Sequence, residues 1–224
     1  MNISNILKGF KELNFKTIYF NFKYLTYKQA IFLPIFVSKN VKLKNSKGNI
    51  VLDFKPKMRS IRLGYEAVGI FDHKRSKSIW DVKGKIIFKG KAFIGQGFKI
   101  SVGEKGKIEF GDNFAISAET SLVASNRRIE FGSNCLLSWE VLFLDTDFHK
   151  IYDIDNNIIN ENKDIKIGNN VWIGCRSTIL KGSIVSDGIV IASNSLVAGI
   201  LNSNNAIYGG VPIKLIKSNV KWER

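Results

Sequence analysis

Chemistry-bearing residues are scarce in this chain. It has two histidines, His73 and His149, and two cysteines, Cys135 and Cys175. An imidazole with an ordinary pKa near about 6.5 is the natural proton acceptor at neutral pH. His73, within FDHKRSKS, stands among charged residues and reads as a solvated loop residue. His149 lies in DTDFHKIYDIDNNIINENKD, a run from Asp145 to Asp164 whose dense Asp and Asn content cannot bury itself and must project from the body as a loop. Asp147, Asp145 and Glu140 are the carboxylates near enough in sequence to orient its ring. Trp139, just before the loop, is placed to wall a substrate, with Asp145 beside it. The cysteines form no C-x-x-C pair, so they read as free thiols. Two histidines also fall short of the three protein ligands of a catalytic zinc, and no metal is expected.

The elements that must position His149 declare themselves by a repeat. Ile167, Ile173, Ile179, Val185, Ile191 and Val197 recur every six residues, and three upstream triplets share the step: Phe88, Ile94, Ile100; Phe110, Ile116, Leu122; Phe131, Leu137, Phe143. Neither a helix nor a flat strand has that period. The residue after most of these positions is small: Gly95, Ser101, Gly111, Ser117, Gly132, Ser138, Gly168, Gly174, Ser186, Ala192 and Ala198. Three short strands, each with one side chain inward and a crowded corner after it, make a triangular coil of 18 residues. Coils stack as parallel strands about 4.8 Å apart. Asn113, Asn134, Asn170 and Asn194 follow the corners, where Asn tolerates left-handed dihedrals. After Phe143 the step is interrupted by the His149 loop and resumes at Ile167.

IKIGNNVWIGCRSTILKGSIV and the closing YGGVPIK resemble the hexapeptide-repeat acyltransferases, the likeness running over roughly residues 85 to 220, with sugar and polysaccharide O-acetyltransferases as the nearest branch. The resemblance implies an all-β fold, a left-handed parallel β-helix of about five or more 18-residue coils with an N-terminal appendage and a short C-terminal helix. It also implies a homotrimer and acetyl-CoA as co-substrate. His149 is then the general base that takes the proton of an acceptor hydroxyl as it attacks the thioester directly. The donor positions implied are Trp172, Gly174, Cys175, Ser193 and Ala198, with Lys214 and Lys217 toward the nucleotide phosphates. Cys175 becomes a groove-lining small residue and Cys135 a structural one. The zinc-dependent carbonic anhydrases built on the same fold need three histidines and are excluded. Where relatives often carry Thr-Lys after the last coil this chain has Ala198 and Gly199, and Ile213 replaces the usual Ala.

Charge is unevenly spread. Residues 1 to 60 hold eleven lysines and Arg59 against Glu12 and Asp53, a net +10 of the total +15. With Phe15, Tyr19, Phe20, Phe22, Tyr24 and Tyr27 interleaved, this basic segment suits an anionic membrane surface better than nucleic acid. The longest apolar stretch, AIFLPIFV, is far too short to span a bilayer. No apolar signal region opens the chain, so the expected location is the cytoplasm or the inner face of the membrane. The expected organisation is a basic N-terminal cap over 1–60, the β-helix over 61–212 with the loop 145–164 inserted, and a tail or helix over 213–224. Within the cap, 1–17 reads as a short amphipathic helix, 18–24 as a strand and 41–54 as a hairpin centred on Lys47, Gly48 and Asn49. The functional expectation is O-acetylation of a sugar in surface-polysaccharide assembly. Its alternatives are N-acylation of an amino sugar, or a non-catalytic β-helix that binds membrane or nucleic acid.

Overall fold

The computed structural model describes residues 12–66, 68–72 and 74–223. His73, read above as a solvated loop residue, and most of the expected helix over 1–17 lie outside them.

Among the described residues, helices α1 (Phe15–Tyr24) and α2 (Tyr27–Ala30) lead into three sheets that form the sides of a prism. The first face stacks Ile35–Val37, Ile61–Tyr65, Ala92–Gly95, Phe114–Ile116, Leu136–Leu137, Trp172–Ile173, Val190–Ile191 and Ile207–Gly209. The second stacks Val41–Ser46, Ser78–Val82, Lys99–Val102, Ser121–Ala124, Leu142–Leu144, Thr178–Leu180 and Leu196–Val197. The third stacks Asn49–Leu52, Lys85–Phe88, Lys107–Phe110, Arg128–Phe131, Ile165–Ile167, Ile184–Val185 and Ile200–Leu201. Three consecutive strands make one coil, and seven such coils are complete. All these pairings are parallel.

The six-residue positions form the prism's interior, each at most 3% exposed. Phe88, Phe110 and Phe131 stack in consecutive coils, with ring centroids 5.1 and 5.7 Å apart. Asn113, Asn134, Asn170 and Asn194 all have φ between 52° and 59°, the left-handed conformation the corners require.

Several expectations are corrected. The coil is not uniformly 18 residues: Ala92 pairs with Phe114, Ala115 with Leu136, Leu136 with Trp172 and Trp172 with Val190. The strand step is constant, and corners of different length absorb the remainder. Strands enter the prism at Ile35, so residues 35–60 are coil and not cap. Val41–Ser46 and Asn49–Leu52 do not pair as a hairpin; they lie on different faces across a corner. The segment over 18–24 is helical because Asn14 caps it, its side chain accepting from the Lys16 and Thr17 N–H groups. Thr17, Phe20 and Asn21 then fall on one buried face. At the other end, Lys214–Lys217 is an exposed strand antiparallel to Ile207–Gly209, and no C-terminal helix forms there.

The N-terminal end of the prism is covered. Asn21 Nδ2 donates to Ile35 O at 2.6 Å while Ile35 N–H donates to Asn21 Oδ1 at 3.1 Å, and Val37 N–H donates to Thr17 Oγ1 at 3.0 Å. Helix side chains therefore satisfy the first strand's free edge, which would otherwise template pairing with another chain.

Candidate active site

The His149 loop departs at the corner between the second and third faces, between Leu144 and Ile165. Its root is pinned by Asp145, which is fully buried. The Asp145 carboxylate accepts the backbone N–H groups of Ser125 and Asn126 at 2.8 Å and of Arg127 at 2.7 Å, in the preceding coil. Those bonds tie three of its roughly four acceptor positions to the fold. Asp145 is therefore a structural residue, and the substrate and orienting roles expected of it are withdrawn.

Beyond the root, Phe148 adopts φ 63°, and His149 N–H donates to Asp147 O at 2.8 Å. Asn160, from the returning limb, donates through Nδ2 to Asp147 Oδ2 and to His149 O, both at 2.8 Å. Lys181 completes the knot, its ammonium reaching the Asp147 carboxylate and, at 2.6 Å, Asn160 O. The hydrogen bond from Lys181, then that from Asn160, holds the Asp147 carboxyl below the usual carboxylate range. Asp147 is thus a clamp on the loop backbone. The His149 side chain is exposed and makes no hydrogen bond to any described residue. It lines a cleft of about 630 Å³ with Phe148, Ile158, Asn160, Lys105, Arg127 and Lys150.

The other expected residues stand elsewhere. Glu140 pairs with Arg176 at 2.8 Å at the corner between the first and second faces, so it does not orient His149. Trp139, at that same corner, is not among the residues lining the His149 cleft. Gly174, Cys175 and Ser193 share this edge, with Cys175 Sγ 3.3 Å from Ser193 Oγ one coil away. Trp172 is half exposed on the first face, donating through Nε1 to Ser138 Oγ at 3.1 Å. Ala198 belongs to the His149 corner, two coils further on. Lys214 and Lys217 lie on the exposed final strand. Cys135 is buried and its thiol pushed up to about 11 by desolvation, which makes it inert.

Sequence reasoning missed Asn160, Lys181 and Trp222. Trp222 packs on Trp172 with centroids 5.9 Å apart and donates to Asn170 O at 2.8 Å. Only the order of these residues was visible, and nothing in a tail or a returning limb states what it will meet. Among the described residues, no cluster of His, Cys, Asp and Glu is arranged to hold a metal ion.

No protein-family profile matches the chain. The uncharacterized 24.8 kDa protein in the cps region of Klebsiella pneumoniae is 33% identical, over 90% of this chain and 87% of its own length. The putative lipopolysaccharide biosynthesis O-acetyl transferase WbbJ of Escherichia coli K12 is 30% identical over 60% of this chain and 72% of its own length. This chain belongs to the hexapeptide-repeat acyltransferases. It is an O-acetyltransferase. Among solved structures, the crystal structure of the polySia specific acetyltransferase NeuO superposes with a TM-score of 0.59, covering 84% of this chain and 74% of that one at 24% identity. The architecture is thus the family's left-handed parallel β-helix.

Proposed function

We propose that this acetyltransferase moves the acetyl group of acetyl-CoA onto a sugar hydroxyl during assembly of a surface polysaccharide, with His149 as general base. One observation carries the reading: in a chain of this family, the His149 imidazole stands unbonded in an open cleft on a backbone clamped by Asp145, Asp147, Asn160 and Lys181. A base must be free to accept a proton and held well enough to meet it. Asn160, Asn162, Thr146 and Ser125 line the same cleft with the amide and hydroxyl groups that hydrogen-bond sugars. His149 accepts the acceptor's hydroxyl proton as that oxygen bonds to the thioester carbonyl carbon; the carbon–sulfur bond then breaks and the thiolate of coenzyme A leaves. The relatives' names, from lipopolysaccharide synthesis and polySia acetylation, support a glycan acceptor and an ester product over an amide.

The donor edge of Trp172, Gly174, Cys175 and Ser193 lies at or beside a different corner from His149, with Lys214 and Lys217 beyond the last coil. A homotrimer in which one copy's loop meets the next copy's edge supplies both halves of the site. The outer surface of α1 and α2 exposes Phe15, Tyr19, Phe22, Tyr27 and Phe32 beside Lys23, Lys28, Lys55 and Lys57. That mixture supports peripheral binding to an anionic membrane leaflet.

The deciding experiment is the thermal midpoint with and without acetyl-CoA, followed by acetyl transfer to a panel of glycans. Donor at 100 times its Kd adds about 2.7 kcal/mol and raises the midpoint, and Lys217→Glu abolishes the rise. No shift at saturating donor, with no transfer to any glycan, would refute the reading.

A further inference from the structure

The corner between the second and third faces is basic in each of the first four coils. Coil by coil it reads Ser46-Lys47-Gly48-Asn49, Val82-Lys83-Gly84-Lys85, Gly103-Glu104-Lys105-Gly106-Lys107 and Ser125-Asn126-Arg127-Arg128. Lys83, Lys105 and Arg127 recur at intervals of 22 residues. Lys47, Lys83, Lys85, Lys105 and Arg127 are all exposed. Lysines occur at other corners as well, Lys39, Lys74 and Lys77 between the first and second faces and Lys55, Lys57, Lys89 and Lys91 between the third and first, but only the corner between the second and third faces is basic in all of the first four coils.

Backbone contacts stack these corners directly. Gly48 N–H donates to Val82 O at 3.0 Å, Asn49 N–H to Gly84 O at 2.9 Å, Lys85 N–H to Gly106 O at 3.1 Å and Lys107 N–H to Arg127 O at 3.1 Å. A Cβ on Gly84 would collide with the backbone oxygens of Gly103 and Gly106, so glycine is required for the corners to approach this closely. The result is a ladder of cations at about 4.8 Å per coil. Lys107 and Arg128, one position inward, are drawn to Glu109 at 2.6 and 3.6 Å, whereas Glu104 is the one carboxylate on the ladder itself. Stacked like charges disfavour the fold until an anion lies along them. The ladder ends in the His149 cleft, where Lys105, Arg127 and Lys150 form the wall.

We propose that this edge is a track that binds an acidic glycan chain along the first four coils and delivers it to His149. The proposal rests on His149 being the base of a glycan acetyltransferase and adds the acceptor's class, a linear polysaccharide carrying carboxylates or other acidic groups. Repeated charge along such a chain meets repeated charge along the edge. No aromatic side chain stands at these four corners to stack on bases, which favours a glycan over single-stranded nucleic acid.

The test is calorimetric titration of the full-length His149→Ala protein with short and long oligomers of uronic and sialic acids, each beside its carboxyl-reduced counterpart. It is repeated with Lys47, Lys83 and Lys85 replaced by Ser, after a thermal melt shows that this variant is folded. Acidic oligomers bind, more tightly when longer and less tightly in salt, and the triple replacement weakens the long oligomers about tenfold, removing the length dependence. Equal binding of the carboxyl-reduced oligomers, or an unchanged long-oligomer affinity in the folded triple variant, overturns the track. Tighter binding of single-stranded DNA of equal charge overturns it as well. Acetyl transfer is read separately with His149 intact. Acidic oligomers held by these lysines but never acetylated would refute the enzyme reading and leave the track. Acetylation of neutral glycans, indifferent to the lysines, would refute the track and leave the enzyme.

Discussion

Around His149, backbone positioning and the proposed proton transfer are divided between residues. Asp145, Asp147, Asn160 and Lys181 hold the backbone, and the imidazole alone faces the cleft. His149→Ala is therefore expected to lower kcat by about 10²–10⁴-fold with an unchanged circular dichroism spectrum and thermal midpoint, since the side chain holds nothing together. Asp145→Ala should do the reverse. Three backbone N–H groups lose the buried carboxylate that accepts from them, and a cost of about 1–3 kcal/mol is expected in denaturant unfolding. The sequence showed that a histidine sits in a polar insertion, which was enough to single it out. It did not distinguish Asp145 from Asp147, because two aspartates two residues apart differ only in what the preceding coil and the returning limb present to them.

Elements explain where reading by period succeeded and failed. Inward positions recur six apart from the third face through the first to the second, and only the corner between the second and third faces varies in length, so the interior was legible from Phe88 to Val197. The first two coils were not, because long corners at 53–60 and 66–77 break the count before it accumulates. Helix α1 alternates apolar and polar residues well enough to read as a strand; Asn14 and the bonds of Thr17 and Asn21 to Ile35 and Val37 decide for helix. The outward aromatics of α1 and of the turn after α2 lead to an expectation: co-sedimentation with anionic vesicles should fall when Phe15, Phe22 and Phe32 become Ser, with neutral vesicles as the control. The third face carries a pH dependence of its own. Burial raises the Glu109 carboxyl, but hydrogen bonds from Lys107 and Lys89, at 2.6 and 2.9 Å, outweigh it and push the pKa down to about 2. The unfolded value is near about 4.3. This stabilisation, on the order of 3 kcal/mol, is thus fully present above the unfolded value and lost as pH falls toward 2. Glu109→Gln should flatten the acid limb of the unfolding curve over that window.

At the scale of the molecule, the proposed donor edge and the proposed catalytic loop belong to different corners of one prism, an arrangement that no periodicity along a single chain announces. Stacking eighteen-residue neighbours predicts that Cys175 meets Ser193, and it does, but it says nothing of which corner faces which in an assembly. The proposed trimer, in which two copies share each site, has a measurable consequence. A His149→Ala copy keeps a sound donor edge, and a Ser193→Trp copy, altered at an exposed corner, keeps a sound loop. Each homogeneous protein should be inactive. Co-expressed in equal amounts with different affinity tags and purified through both, the mixed trimers regain activity, because some interfaces unite the intact loop with the intact edge. Random assortment over all trimers gives about a quarter of the sites that combination. Were loop and edge to act within one chain, every copy would carry one defect and mixing would restore nothing, so activity in the doubly tagged fraction separates a shared site from a self-contained one.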